Sequence, residues 1–148
     1  MISFLTCFYF LIKVNNLGGY LVDLSSLPRC RLPSGKEVSI VDVLRFFYDF
    51  NETDVLVLLK IFSSGSITLE ELAKETHMSK ASVSRSISKL HSLGFVSREK
   101  IIDKVSKGRP RYIYKVDREG ALKRILENVE MCSNVAKSVF EKILLSKQ

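Results

Sequence analysis

From Leu32 onward the apolar and polar positions follow readable periods, and the period changes once. Ile40, Val43, Leu44, Phe47 and Tyr48 recur at steps of three and four, directly after the turn chemistry of Leu32-Pro33-Ser34-Gly35-Lys36. This spacing predicts a first helix. Asn51 fits an N-cap, with Asp54 near the positive end of a second helix through Val55, Leu58, Leu59 and Phe62, which Ser63-Ser64-Gly65-Ser66 ends. Thr68, followed three residues later by Glu71, spells a capping box. It opens a third helix with inward positions Leu69, Leu72, Ala73 and Thr76. After a short turn through Met78, Ser79 caps a fourth helix that reaches Leu93 and stops at Gly94, which can supply the left-handed conformation of a helix end.

Beyond Gly94 the period shortens. Phe95 to Ile102 and Arg111 to Val116 are rich in β-branched and aromatic residues and predict two strands, joined by the basic segment Asp103 to Pro110. Asp117 caps a last helix in which Leu122, Ile125, Val129, Cys132, Ala136, Val139 and Ile143 alternate steps of three and four, a heptad seam. Leu126, Phe140 and Leu144 widen that stripe, as in a helix docked on its own domain. The length from Arg118 to Leu145, roughly 40 Å at the helical rise, exceeds what a three-helix core can cover. The distal half is therefore expected to dimerise. The order of elements is that of a winged helix-turn-helix: a mainly α fold with a small β-hairpin wing (α+β) and a long C-terminal dimerisation helix. Residues 32–117 are expected to form the domain, 118–148 the dimer helix, and 1–31 an apolar extension.

That extension is apolar at ten of the thirteen positions from Ile2 to Val14. It is too short for a membrane span, which needs roughly 20 apolar residues, and it lacks the basic leader and cleavage site of a secretory signal. The remaining readings are an added buried strand or helix, a hydrophobic dimer contact, or upstream sequence translated from a start set too early. Burial and a mis-set start rank above membrane attachment.

Composition is that of one compact folded domain: 148 residues, 46% hydrophobic and 26% charged, with a net charge of +7. The distribution of the charge is more telling. Residues 1–54 hold five basic and six acidic side chains, whereas the window Lys80 to Lys115 holds ten basic residues against Glu99 and Asp103 alone, a net +8. A polyanionic partner is indicated. Cys7, Cys30 and Cys132 are odd in number and far apart, and His77 and His91 lack companion ligands, so neither a disulfide framework nor a metal site is expected. A reducing, cytoplasmic setting follows. None of the nucleophile-elbow, zinc-protease, P-loop or dinucleotide-binding motifs occurs, so no enzyme and no cofactor are predicted.

On the fourth helix, Val83, Ile87 and Leu90 form an inward stripe, leaving Ser79, Lys80, Ser82, Ser84, Arg85, Ser88 and Lys89 for the outside. Serines with interspersed cations make a narrow, hydrogen-bonding surface that fits a DNA major groove about 12 Å wide. An ordinary solvated face is the alternative, but such faces mix both signs of charge, and no acid occurs between Lys80 and Leu93. The hairpin supplies Arg98, Lys100, Lys104, Lys107, Arg109 and Arg111, with Lys115 beyond. Its Lys107-Gly108-Arg109-Pro110-Arg111 tip is similar to an AT-hook, whose arginine lies in a narrow minor groove. Arg98, Lys100 and Lys115 suit phosphates better than bases.

The stretch Thr68 to Arg98, with Leu72-Ala73, Met78-Ser79, Val83-Ser84-Arg85, Leu90, Leu93-Gly94-Phe95-Val96 and Arg98, resembles the core of MarR and TrmB-type winged-helix regulators. Leu32-Pro33-Ser34-Gly35-Lys36-Glu37-Val38, Asp42-Val43-Leu44 and Asn51-Glu52-Thr53-Asp54-Val55 are similar to the opening of small archaeal Lrs-type regulators. The resemblance covers Leu32 to Gln148. It implies a homodimer joined by C-terminal helices, one recognition helix per major groove with wings alongside, Arg85 on that helix and Arg109 and Arg111 on the wing. The expected function is a sequence-preferring regulator that binds double-stranded DNA. The alternatives are a weakly specific DNA-coating protein and a winged helix used as a protein-interaction module. A small-molecule effector in the groove beside the dimer helices is compatible with this reading, though no residue pattern points to one.

Overall fold

The computed structural model describes residues 24, 29–101 and 110–145. Residues 1–23 and 25–28 of the apolar extension and the tip of the basic hairpin, with Lys104, Lys107 and Arg109, lie outside the described residues.

Two short strands open the described chain, β1 (Arg29–Arg31) and β2 (Glu37–Ser39). They pair antiparallel across the Pro33-Ser34-Gly35 turn, where Gly35 takes a φ of 84°. Helix α1 (Ile40–Tyr48) follows at once, capped by Ser39 and Asp42 in a reciprocal box. Helix α2 (Glu52–Ser64) starts at Asn51, whose side chain accepts from the Asp54 amide at 2.8 Å while the Asp54 carboxylate accepts from the Asn51 amide at 3.1 Å. Strand β3 (Ser66–Thr68) then leads into α3 (Leu69–Thr76), capped by Thr68 and Glu71 as the sequence predicts. Each such cap satisfies amide donors that the helix itself leaves open, worth about 1 kcal/mol.

Helix α4 (Lys80–Ser92) follows a tight turn, and strands β4 (Val96–Ile101) and β5 (Arg111–Val116) form the hairpin. The sheet order is β3-β5-β4, all antiparallel. Gly94, with a φ of 75°, turns the chain so that the Phe95 amide donates to the Leu90 carbonyl at 2.9 Å. Phe95 thereby enters the core against Tyr48 and Phe50, at ring separations of 4.9 and 5.3 Å. Leu72, Val83, Leu90, Val55, Val57 and Ile61 complete the fully buried set.

Helix α2 departs from its expected inward stripe. Val55, Val57, Leu58 and Ile61 are buried, while Leu59 and Phe62 are only half-buried. Its sequence is apolar on nearly every side, so periodicity alone does not select a face. Contacts with α4 and β5 do.

The chain divides into two compact units at Val116 and Asp117. The second contains α5 (Arg118–Leu145), at whose start the Asp117 carboxylate accepts from the Gly120 amide at 3.2 Å. Along the seam Leu122, Ile125, Val129 and Cys132 are half-buried, whereas Ala136, Val139 and Ile143 are exposed. Met131, Val135, Phe140 and Leu144 are also exposed, which makes the apolar band of the distal half broader than a strict heptad seam.

Candidate nucleic-acid interface

The candidate surface begins with the joint between α3 and α4. His77 closes α3 in the left-handed conformation, φ 55°, and the Met78 amide donates to the Ala73 carbonyl at 3.2 Å. Two residues later Ser79 caps α4, its hydroxyl accepting from the Ser82 amide at 3.1 Å and donating to the Ser82 hydroxyl at 3.0 Å. The turn is thus held by backbone and serine hydrogen bonds on both sides. It fixes the angle of α4 without using the side chains that α4 shows to solvent.

Helix α4 buries Val83, Ser86, Ile87 and Leu90 and exposes Lys80, Ala81, Ser84, Arg85 and Ser88. The exposed stripe is small, polar and cationic. The Ser88 hydroxyl donates to the Ser84 carbonyl at 2.8 Å, which keeps that part of the surface low, and Arg85 projects beside it. Ser82 is half-buried and engaged with Ser79. Lys80 meets Glu70 of α3 at 3.8 Å, both more than half exposed.

Lys89 does not stand free on the outward face where the sequence places it. Its ammonium turns toward the start of α2, 3.1 Å from Asp54 Oδ2 and 3.9 Å from Asp49 Oδ2, and it donates to the Asp49 carbonyl. Asp54 is 3% exposed. Its second oxygen accepts from the buried Ser86 hydroxyl at 2.6 Å. Burial pushes the Asp54 carboxyl up, but the Ser86 hydroxyl, the Asn51 amide and Lys89 together outweigh it and hold the group below the usual carboxylate range. The sequence reading assigns Asp54 only a helix-start role and leaves Ser86 without one. A polar residue on the inward stripe of α4, between Val83 and Ile87, is the signal that points to a buried partner.

The hairpin distributes its cations on two faces. Register pairs Arg98 with Tyr114 and Lys100 with Tyr112, while Arg111 pairs with Ile101. Directly opposed residues share a face. Arg98 and Lys100 therefore lie with the two tyrosines, and Arg111 lies on the reverse side with Ile113 and Lys115. The Arg98 guanidinium stands 5.3 Å from the Tyr112 ring centroid, a cation-π contact that orients it. Tyr114 is half-buried, and burial raises its phenol above the ordinary value. Lys115 is paired with Glu99 at 2.7 Å. Among the described residues, Arg85, Arg98, Lys100 and Arg111 have no carboxylate within 4 Å.

A groove of about 420 Å³ beside β2 and α1 is lined by Arg29, Glu37, Asp42, Arg45 and Glu52 among others. Both arginines are already paired, with Glu37 and Asp42. Among the described residues no cluster of histidine, cysteine or carboxylate side chains has the arrangement of a metal site, and no helix is long and apolar enough to cross a membrane.

A profile of the MarR family matches residues 50–103, from Phe50 through the helix-turn-helix and the first hairpin strand. Among solved structures, a possible transcriptional regulator from Methanosarcina mazei Go1 superposes with a TM-score of 0.63 at 19% identity, over 82% of this chain and 98% of its own. The ST1889 protein from the thermoacidophilic archaeon Sulfolobus tokodaii has a TM-score of 0.52 at 32% identity, over 64% of this chain and 92% of its own. No curated protein sequence matches the chain. The helix-turn-helix, the cationic hairpin and these similarities agree: the chain is a MarR-type winged-helix regulator, its residues 50–103 matching a family of DNA-binding transcriptional regulators that are not enzymes.

Proposed function

We propose that the protein is a sequence-preferring regulator that binds double-stranded DNA as a homodimer, with α4 in the major groove and the 103–111 wing at the minor groove or its phosphates. The observation that carries this reading is the acid-free exposed stripe Lys80, Ala81, Ser84, Arg85 and Ser88. Small side chains let a helix approach base edges, and Arg85 is the residue type that reads guanine by two hydrogen bonds. Arg98, Lys100 and Arg111, on two faces of the hairpin, suit phosphates on either side of it. The same role is assigned to Lys104 and Lys107, and Arg109 is assigned to the minor groove.

Dimerisation is supported by the distal half of α5. Met131, Val135, Val139, Phe140 and Ile143 are 48–62% exposed, an apolar stripe that an isolated soluble helix does not keep in water. Paired copies would bring two recognition helices to half-sites about one helical turn apart.

The test is fluorescence anisotropy with a duplex from the protein's own upstream region and a scrambled duplex of equal composition, each at two salt concentrations. Preference for the native duplex that survives higher salt is the expected result. Equal binding that collapses with salt would mean a DNA-coating protein, and no binding to either would mean a protein-interaction module. Arg85→Ala is expected to weaken specific binding more than nonspecific binding, and Lys107→Ala to weaken both. Equal loss for Arg85→Ala on every sequence refutes its base-reading role.

A further inference from the structure

We infer that Lys89, although it lies on the DNA-reading helix, contacts no phosphate and is instead a positioning residue: held by Asp49 and Asp54, it sets how α4 presents Ser84, Arg85 and Ser88. The inference rests on the proposed DNA-binding function and assigns a role within it.

Lys89 meets four groups of one short segment, the joint between α1 and α2. These are the Asp49 carbonyl, the Asp49 carboxylate at 3.9 Å, the Phe50 ring at 5.6 Å from its centroid, and Asp54 Oδ2 at 3.1 Å. Ser86, three positions earlier, donates to the other oxygen of the same Asp54 carboxylate. Residues 86 and 89 lie on one side of the helix, and Arg85 and Ser88 lie on the next stripe outward. Two consecutive turns of α4 are therefore fastened to a single buried carboxylate, and the fastened turns are those that carry Arg85 and Ser88.

The electrostatics separate Lys89 from the other cations. Two carboxylates lie within 4 Å of its ammonium, so it contributes little attraction to a distant phosphate. Leaving them for DNA would strand Asp54 as a buried charge short of one donor, a cost that a surface lysine does not meet. Lys100, which has no carboxylate within 4 Å among the described residues, meets no such cost.

The discriminating variant is Asp54→Asn with Lys89→Met. It removes both charges together, leaves the net charge unchanged and keeps an acceptor for Ser86. Circular dichroism checks the fold, and anisotropy titrations from low to moderate salt compare it with the unaltered chain. The expected result is about tenfold weaker binding to the specific duplex, the worth of one misaligned base-edge contact. Binding to the scrambled duplex and the slope of log K against log salt should remain unchanged. An equal loss on both duplexes, with a slope shallower by about 1.8 for the dimer, is the signature of one lost phosphate contact per protomer and overturns the inference.

The unaltered chain gives an independent reading through lysine acetylation followed by mass spectrometry. Lys89 should label slowly and equally with and without specific duplex, while Lys80 and Lys100 become protected on binding. Fast labelling of Lys89 that DNA suppresses overturns the inference even if the double variant fails to fold. Absence of any binding by the unaltered chain, by contrast, overturns the functional reading itself.

Discussion

Removing the Ser86 hydroxyl tests the buried fastening of α4 most directly. Ser86 is 4% exposed, and its hydroxyl reaches Asp54 Oδ1 at 2.6 Å across 32 residues of sequence. In Ser86→Ala the Asp54 carboxylate keeps the Asn51 amide and Lys89, both on its other oxygen, and Oδ1 loses this donor. A hydrogen bond to a charged, buried acceptor contributes about 1.5–3 kcal/mol. Alanine returns roughly 0.5 kcal/mol through its better helix propensity. The net loss is therefore about 1–2.5 kcal/mol, or roughly 4–9 °C in Tm for a chain of this size.

The loss carries a pH signature. The Asp54 carboxyl lies below its ordinary value of 3.8 because its donors outweigh burial. Its stabilising contribution is thus fully present above pH 3.8 and is lost as the pH falls through the folded value. Urea unfolding of both proteins from pH 7 down to pH 2.5 should show the full difference at neutral pH and a closing gap in acid. A difference below about 0.5 kcal/mol at pH 7, or a gap that widens in acid, refutes the assignment of Asp54 as a charged buried acceptor.

Glu70→Gln removes the carboxylate facing Lys80; binding to the scrambled duplex at low salt should tighten about two- to fivefold, and unchanged binding would place Glu70 away from the DNA. His77 holds a left-handed φ of 55° at the end of α3, so His77→Gly should raise stability by about 0.5–1 kcal/mol in thermal melts; a loss would mean that the imidazole makes a contact of its own. Val139→Glu with Phe140→Glu places charge on the apolar band of α5, and analytical ultracentrifugation should show a dimer converted to monomer, whereas an unchanged dimer moves the interface elsewhere.

Most element boundaries were legible in the sequence because they are set locally. Thr68 with Glu71, Asn51 with the Asp54 amide, Ser79 with the Ser82 amide, and Gly94 each act within three or four residues, a range that sequence spacing reports. Strand β5 coincides with its β-branched and aromatic run. The Ser39 and Asp42 box was equally local but lay at the end of a three-residue strand, too short to show alternation. The inward stripe of α4 was legible as well, since Val83, Ile87 and Leu90 are its only large aliphatic residues before Leu93.

What the tertiary structure alone decided are contacts between distant segments. The buried face of α2 depends on which neighbours pack against a helix that is apolar on nearly every side. The division of Arg98 and Lys100 from Arg111 depends on strand register, which the two strands set together. Lys89 reads as a groove-facing cation in one dimension. Only the approach of α2 to α4 supplies the carboxylates that hold it, and only burial makes leaving them costly. The sequence thus determined by itself the helix-turn-helix and its cationic character, because caps and periodicity act over a few residues; which of the cations carry a carboxylate partner from a distant segment was decided by long-range packing.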